Sequence, residues 1–168
     1  QVGATGRDLE AVLHATTIAT NAIIERKGAP TALITTEGFR DVLIIGRQKR
    51  YETYDLYMEK PPALVARRSI FEISERIDYL GQILKPLDLN SLDNVVTAVR
   101  AGAYSSIAVS LLHAYANSDH EKQIEAAFNE VMPDIPVTLA SKLSPKFREY
   151  ERTSTAVANA YVRPIVSS

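Results

Sequence analysis

Within eight residues, His14-Ala15-Thr16-Thr17-Ile18-Ala19-Thr20-Asn21, the chain sets out an imidazole, three hydroxyls and a carboxamide. These groups suit hydrogen bonding to phosphoryl or carboxylate oxygens and movement of a proton. A second concentration runs Arg148-Glu149-Tyr150-Glu151-Arg152-Thr153-Ser154-Thr155 and on to Asn159. On a helix Glu151, Thr155 and Asn159 fall at i, i+4 and i+8, one polar stripe. Arg40, Asp41 and Arg47 form a third group. Each group has a plainer reading beside the chemical one. The first is a capped helix with a satisfied histidine, and the second a solvated helix face. Arg40 and Asp41, adjacent and so pointing apart, would each sit in a surface ion pair elsewhere. His113 ends a buried run and His120 lies in a helix cap, so neither reads as a ligand. Three scattered His and no Cys leave no transition-metal ligand set, and none is assigned. GxGxxG, GxxxxGK[ST], GxSxG and HExxH are all absent.

The elements that must hold these groups alternate strand and helix. Ala11 to Ala15 reads as the end of a buried strand and Ile18 to Lys27 as an amphipathic helix. Thr16 or Thr17 falls at the N-cap, where a hydroxyl takes free backbone N–H groups beside a potential anion site. Gly28-Ala29-Pro30 breaks the chain before a buried strand, Thr31 to Thr36, and Gly38 to Gln48 is predicted helical. Lys49 to Arg68 is polar, tyrosine-rich and carries Pro61-Pro62, an ordered excursion. Phe71, Ile73 and Ile77 alternate with polar residues, and Asp78-Tyr79-Leu80-Gly81 turns the chain into Gln82 to Leu87, a β-hairpin. Leu92, Val95, Val96 and Val99 mark a helix face, capped by Asn90 or Ser91 and stopped by Gly102. Ile107 to Leu112 reads as a strand covered on both faces. Ser118 to Glu121 is a capping box opening a helix with the stripe Ile124, Ala127, Phe128 and Val131. Val137 to Ala140 is a short strand, and Lys146 to Arg163 a last helix with Tyr150, Val157 and Tyr161 on one face.

Composition narrows the class. The 168 residues are 46% hydrophobic, enough for the core of one domain or of two small lobes. Nineteen Lys plus Arg against twenty Asp plus Glu give a net charge of −1, which offers nucleic acid or a membrane surface no handle. With no cysteine, disulfides and thiolate chemistry are excluded, which fits a reducing, cytoplasmic setting. No apolar run approaches a membrane span. The chain opens on Gln1 without Met and is read as a piece of a longer polypeptide.

Resemblance supplies what spacing leaves open. The run HATTIATNAIIERKGAPTALITTEGFRDVLIIGRQKR, His14 to Arg50, resembles the signature block of the hydantoinase A/5-oxoprolinase family. So do Tyr54-Asp55-Leu56, Glu75-Arg76-Ile77, Ile107 to His113, His120-Glu121 and REYERTSTAVANAYV, Arg148 to Val162. The blocks are colinear over nearly the whole chain. Ala15 stands where the family motif, HGTT, has glycine. The family includes ATP-dependent 5-oxoprolinase, N-methylhydantoinase and subunits of acetone and acetophenone carboxylases. The fold implied is a lobe of a ribonuclease-H-like, actin-like ATPase, a mixed sheet flanked by helices with a β-hairpin insertion. Residues 1–48 would be strand–helix units, 49–88 the excursion and hairpin, and 89–168 an α/β half ending in a helix. The family's DxGGTxTD phosphate hairpin has no counterpart here, so the resemblance implies a partial site, inactive alone.

The activity implied is hydrolysis of a cyclic amide, of hydantoin or 5-oxoproline type, activated by phosphoryl transfer from ATP with Mg²⁺. Thr16, Thr17, Thr20 and Asn21 would then hydrogen-bond phosphoryl oxygens, with Arg47 as an anion contact. His14 would take polar contact or proton transfer, Arg152 a further anion contact, and Glu151 the part of an orienting base or of a ligand to magnesium-bound water. A hydantoinase B-type subunit or fused domain is the implied partner. An acetone/acetophenone-type carboxylase subunit, or a non-catalytic lobe that docks the partner, are the other functions that the resemblance allows.

Overall fold

Strand β1 (Thr31–Thr36) is buried at all six positions, so it must be covered on both faces. The structure, a computed structural model, describes residues 17–47, 54, 57 and 61–166. β1 lies inside a four-stranded sheet with β2 (Ile70–Ile73), β5 (Ser106–Ser110) and β6 (Val137–Leu139), ordered β2-β1-β5-β6. Every pairing is parallel, with Leu33 opposite both Ile70 and Ala108. A separate antiparallel hairpin joins β3 (Arg76–Ile77) to β4 (Ile83–Lys85).

Side-chain alternation divides the core. Ala32, Ile34, Ile107 and Val109 face a layer containing α3 (Leu89–Ala101) and α4 (Asp119–Val131). Leu33 and Ala108 face the long helix α6 (Glu149–Val166) through Ala156, Val157 and Ala160. The small residues on that side let helix and sheet backbones approach closely. Flanking α6 are α1 (Ile18–Ile24), α2 (Val42–Ile45) and α5 (Ala140–Leu143).

The sequence-based boundaries change where local backbone overrules periodicity. The first helix stops at Ile24, because Arg26 takes a left-handed φ of 57°. Between Gly38, φ 86°, and Gly46, φ 59°, only the single turn α2 fits, in place of a helix to Gln48. Ile70 and Ile73 are both fully buried, so the stretch expected to begin a hairpin is instead the sheet's edge strand, parallel to β1. The hairpin is correspondingly short. Its turn needs Gly81 at φ 85°, and Asp78 Oδ1 accepts from Leu80 N and Gln82 N.

The cap of α3 is Asp88, whose side chain accepts from Asn90 N, in place of the expected Asn90 or Ser91. Leu92, Val95, Val96 and Val99 are buried and Gly102 ends that helix, as the pattern reads. Ser118 is the N-cap of α4, but its hydroxyl makes no cap bond, and Glu121 turns inward instead of closing a capping box. Val131, counted in the stripe, is 42% exposed. The strand expected over Ala11 to Ala15 and half of the tyrosine-rich excursion lie outside the described residues.

Candidate functional site

Open parallel sheets bind ligands beyond the carboxyl ends of their strands, where the chain order reverses. Here β1 neighbours β2 on one side and β5 on the other, so the reversal falls between β1 and β5. The carboxyl edge at that point is polar far into the interior.

Three successive backbone N–H groups after β5 are taken by side chains from three elements. Leu111 N donates to Glu121 of α4 at 3.0 Å, Leu112 N to Thr36 of β1 at 2.9 Å, and His113 N to Glu149 of α6 at 3.3 Å. Thr36 donates onward to Glu75, whose other carboxylate oxygen meets His120 Nδ1 at 2.7 Å. Both partners of that last pair are buried. Ser110 and Thr153 share a hydrogen bond of 2.8 Å across the β5–α6 contact.

Arg152 is the charged centre of this edge, with no exposed surface. Its guanidinium reaches Glu149 at 2.8 Å and 3.0 Å, Leu111 O at 3.2 Å and Glu121 at 3.7 Å, and it lies 5.6 Å over the Tyr115 ring. Burial pushes the Glu121 carboxyl above its ordinary value, against its hydrogen bonds from Ser141 and Leu111 and the charge of Arg152.

The expected site residues divide accordingly. Arg47 is brought to Glu151, its Nε donating to the carboxylate across α2 and α6. Burial raises the Glu151 carboxyl, but the backbone hydrogen bond, the Arg47 contact and the charges of Arg47 and Arg148 hold it below its ordinary value. Arg152, one residue on, faces inward and is bound as a structural centre, not presented as an open cation. Thr155 returns its hydroxyl to Glu151 O at 2.7 Å, and Asn159 accepts from Thr138 at 3.5 Å, so the polar stripe is spent within the fold.

Thr17 holds the N-cap position of α1, but its hydroxyl caps nothing; it accepts from Asn21 Nδ2 at 3.3 Å. Thr17, Thr20 and Asn21 are exposed. Ala19 lines a groove with Asn159, Val162 and Arg163. Those three residues follow Glu151 by 8, 11 and 12 positions, so that end of α1 is about 12–18 Å along α6 from it, at 1.5 Å per residue. The structure does not gather the Thr corner and the Arg47–Glu151 pair into one grip. His14 and Thr16 lie outside the described residues. Asp41 pairs with Arg67 at 2.7 Å and 3.0 Å, as its surface reading requires.

Hydroxyls and a carboxamide are chemically fit to hold phosphate oxygens, so Thr17, Thr20 and Asn21 are the described side chains that could do so for ATP. Among the described residues no group of three His, Asp or Glu converges on a point; magnesium held by phosphate oxygens and one or two carboxylates needs no such group. No helix among them is long and apolar enough to cross a membrane.

Sequence reasoning passed over Glu75, His120, Glu121 and the interior role of Arg152. A signal was present for two of them. His120 precedes Ile124 and Phe128 at helical spacing of four, so it continues the buried stripe of α4. Arg152 likewise precedes Ala156 and Ala160 on the buried stripe of α6.

A parallel α/β domain with a polar, ion-paired carboxyl edge is the class these features define. The chain belongs to the hydantoinase/oxoprolinase family, whose N-terminal-region model matches residues 1–132. It is 41% identical over 160 residues to an uncharacterised protein of Methanocaldococcus jannaschii, covering 94% of this chain and 24% of that one. The acetophenone carboxylase gamma subunit of Aromatoleum aromaticum is 32% identical, with 92% and 23% covered. The crystal structure of the ATP-dependent caprolactamase from Pseudomonas jessenii superposes with a TM-score of 0.88 at 31% identity, over 95% of this chain and 23% of that one. The chain thus spans about a quarter of the length of these relatives.

Proposed function

We propose that this chain is part of an ATP-dependent hydrolase that opens a cyclic amide. The observation that carries the reading is the likeness of almost the whole chain to an ATP-dependent caprolactamase, in fold and in sequence. When bound, ATP would supply the phosphoryl group that activates the amide oxygen toward water. Thr17, Thr20 and Asn21, with His14 and Thr16 before them, would hydrogen-bond phosphate oxygens. Arg47 and Glu151 would act at the other end of α6, the arginine holding the carboxylate ionised so that it can orient a polar ligand. Because about 12–18 Å separates the two groups along the helix, they make separate contacts. Arg152 acts through the groups it holds. Glu151 could alternatively hold a magnesium-bound water; the remaining contacts would come from outside the described residues, and a hydantoinase B-type subunit or fused domain would complete a cytoplasmic enzyme. The 168 residues alone would be inactive.

The relative named as a carboxylase subunit favours a second reading, in which a ketone is the substrate. Steady-state ATP hydrolysis by the full-length protein carrying this domain separates the two. Stimulation by 5-oxoproline, hydantoin or caprolactam supports the amidase, and stimulation by acetone or acetophenone with bicarbonate supports the carboxylase. No stimulation by any lactam overturns the proposal. In an active enzyme Thr17→Ala should raise KM for ATP about tenfold, the loss of roughly 1.4 kcal/mol. Unchanged kcat and KM would remove Thr17 from the site.

A further inference from the structure

We propose that the pocket between α1, α2 and α6 is a subsite for the cyclic amide, with its ring against Ile23, Leu43, Leu64 and Val157 and its amide group on the Ser154 hydroxyl. The inference rests on the amidase reading and places the substrate beside the phosphate contacts of α1. The pocket has a volume of about 420 Å³, and its walls include both helices that carry candidate site residues. Small-molecule sites run from about 300 to 1,000 Å³ and are mostly apolar, with a few polar groups. The outer wall is firm. Arg26 ends α1 in a left-handed conformation, and its Nη2 donates to Pro62 O at 2.7 Å, which ties the helix to segment 61–64. Two successive prolines, Pro61 and Pro62, restrict the backbone of that segment.

Ser154 is the polar group of this pocket that the fold itself does not use. Its Oγ is shut off from solvent and has no hydrogen-bond partner among the described residues. The next hydroxyl on the helix, that of Thr155, returns to Glu151 O at 2.7 Å, the ordinary recourse of a helical hydroxyl. Ser154 makes no such bond to Tyr150 O. A buried hydroxyl without a partner costs stability, and most native ones are satisfied. No bond holds its rotamer, so rotation about χ1 can turn Oγ into the cavity that the residue lines. There it can donate to a ring carbonyl or accept from a ring N–H, and a cyclic amide presents both.

Position favours the same occupant. Ile23 follows Thr20 by three residues, so the two share a face of α1 with Cβ atoms about 5–6 Å apart. A phosphoryl group held by Thr20 and Asn21 is therefore next to a ring packed on Ile23. On α6, Ser154 follows Glu151 by three residues and precedes Asn159 by five, about 4.5 Å and 7.5 Å along the axis. The pocket thus occupies the interval between the Arg47–Glu151 pair and the phosphate contacts, and a ring seated there adjoins both.

The test uses full-length protein and the lactam that gives the greatest ATP turnover among 5-oxoproline, hydantoin and caprolactam. Ser154→Ala should raise KM for the lactam about fivefold to tenfold, the loss of one hydrogen bond, with kcat held within about twofold. Its thermal midpoint should stay level or rise, because the variant removes an unpaired buried hydroxyl and gains helix propensity. Ser154→Leu fills part of the cavity and should raise lactam KM by more than about tenfold. KM for ATP should not change in either variant. Lactam KM within about twofold of wild type in both variants, or an equal rise in KM for ATP, would overturn the subsite while leaving the amidase reading intact. A lower thermal midpoint for Ser154→Ala would overturn it too, since the hydroxyl would then be bonded within the protein. Wild-type protein that turns over no lactam overturns both, before any variant is made. If Ser154→Leu fails to fold, Ser154→Ala decides the matter.

Discussion

Arg152→Met tests whether the carboxyl edge is organised around one buried charge. Methionine keeps the length and the apolar stem, so little cavity opens and the change is chiefly one of charge. Glu149 has a side chain 22% exposed and can turn to water, but Glu121 has none exposed. Its carboxylate would keep the hydrogen bonds from Leu111 N and Ser141 N and lose its cation. Breaking a buried pair in this way costs about 3–5 kcal/mol, a large share of the roughly 5–15 kcal/mol that holds a domain together. With an m-value near 2 kcal/mol/M, the urea midpoint should fall by about 1.5–2.5 M.

The loss should depend on pH with a definite sign. Burial already places the native Glu121 carboxyl above its ordinary 4.5, and removing Arg152 takes away a charge that opposed the shift. Between 4.5 and the raised native value, the folded state binds more protons than the unfolded state, so stability rises as pH falls through that window. The deficit of Arg152→Met relative to wild type should therefore shrink on going from pH 8 to about pH 5. Adding Glu121→Gln removes the stranded charge, so the double variant should lose less than the two singles summed, by at least about 1 kcal/mol. A deficit under about 1 kcal/mol, or one that is the same at both pH values, would refute the reasoning.

Thr36→Val removes the hydroxyl that bridges Glu75 and Leu112 N inside the core, and should cost about 1–3 kcal/mol in urea unfolding. A value near zero would mean that neither group depends on it. Gly28→Ala would drive a Cβ into the ring of Tyr161, which is only 7% exposed; a loss of about 1–3 kcal/mol is expected, relieved when Tyr161→Leu is added. Equal loss in both backgrounds would point to backbone and not to the ring. Asp41 is held below its ordinary 3.8 by its hydrogen bond to Arg67, so its contribution is present at neutral pH and fades as pH falls through that region. The pair is exposed, so the difference between wild type and Asp41→Asn should disappear at about 1 M salt, and its persistence would argue against a surface ion pair.

The apolar framework was legible in the sequence. Thr31–Thr36, the buried face of α3 and the short strand before α5 all follow from hydrophobic periodicity read against their turn residues. Element ends were less so, because they depend on single backbone angles. Arg26 at φ 57° ends α1, and nothing in an arginine's type announces that conformation. The edge strand β2 was misassigned for a related reason. Alternation cannot say which strand a half-buried segment will pair with, and Ile70–Ile73 found β1 when β3 was nearer in sequence.

The candidate site was least legible where residue type and position disagree. Arg152 and His120 occupy positions that the 3.6-residue period assigns to the core, but their chemistry assigns them to the surface. A reading that trusts type counts them as polar decoration; one that trusts position must ask what each is bonded to. In this fold the answers converge. Glu75, Glu121 and Glu149 are the acids of the edge, Arg152 and His120 the groups that meet them, and together they fasten the end of β5 to β1, α4 and α6. An apolar core of the same volume would hold these elements with less desolvation cost. It could not fix three consecutive backbone N–H groups in direction, because only polar side chains accept hydrogen bonds. Polar residues therefore sit where the carboxyl edge must present one defined turn, and the two faces of the sheet, which need only to be covered, remain apolar.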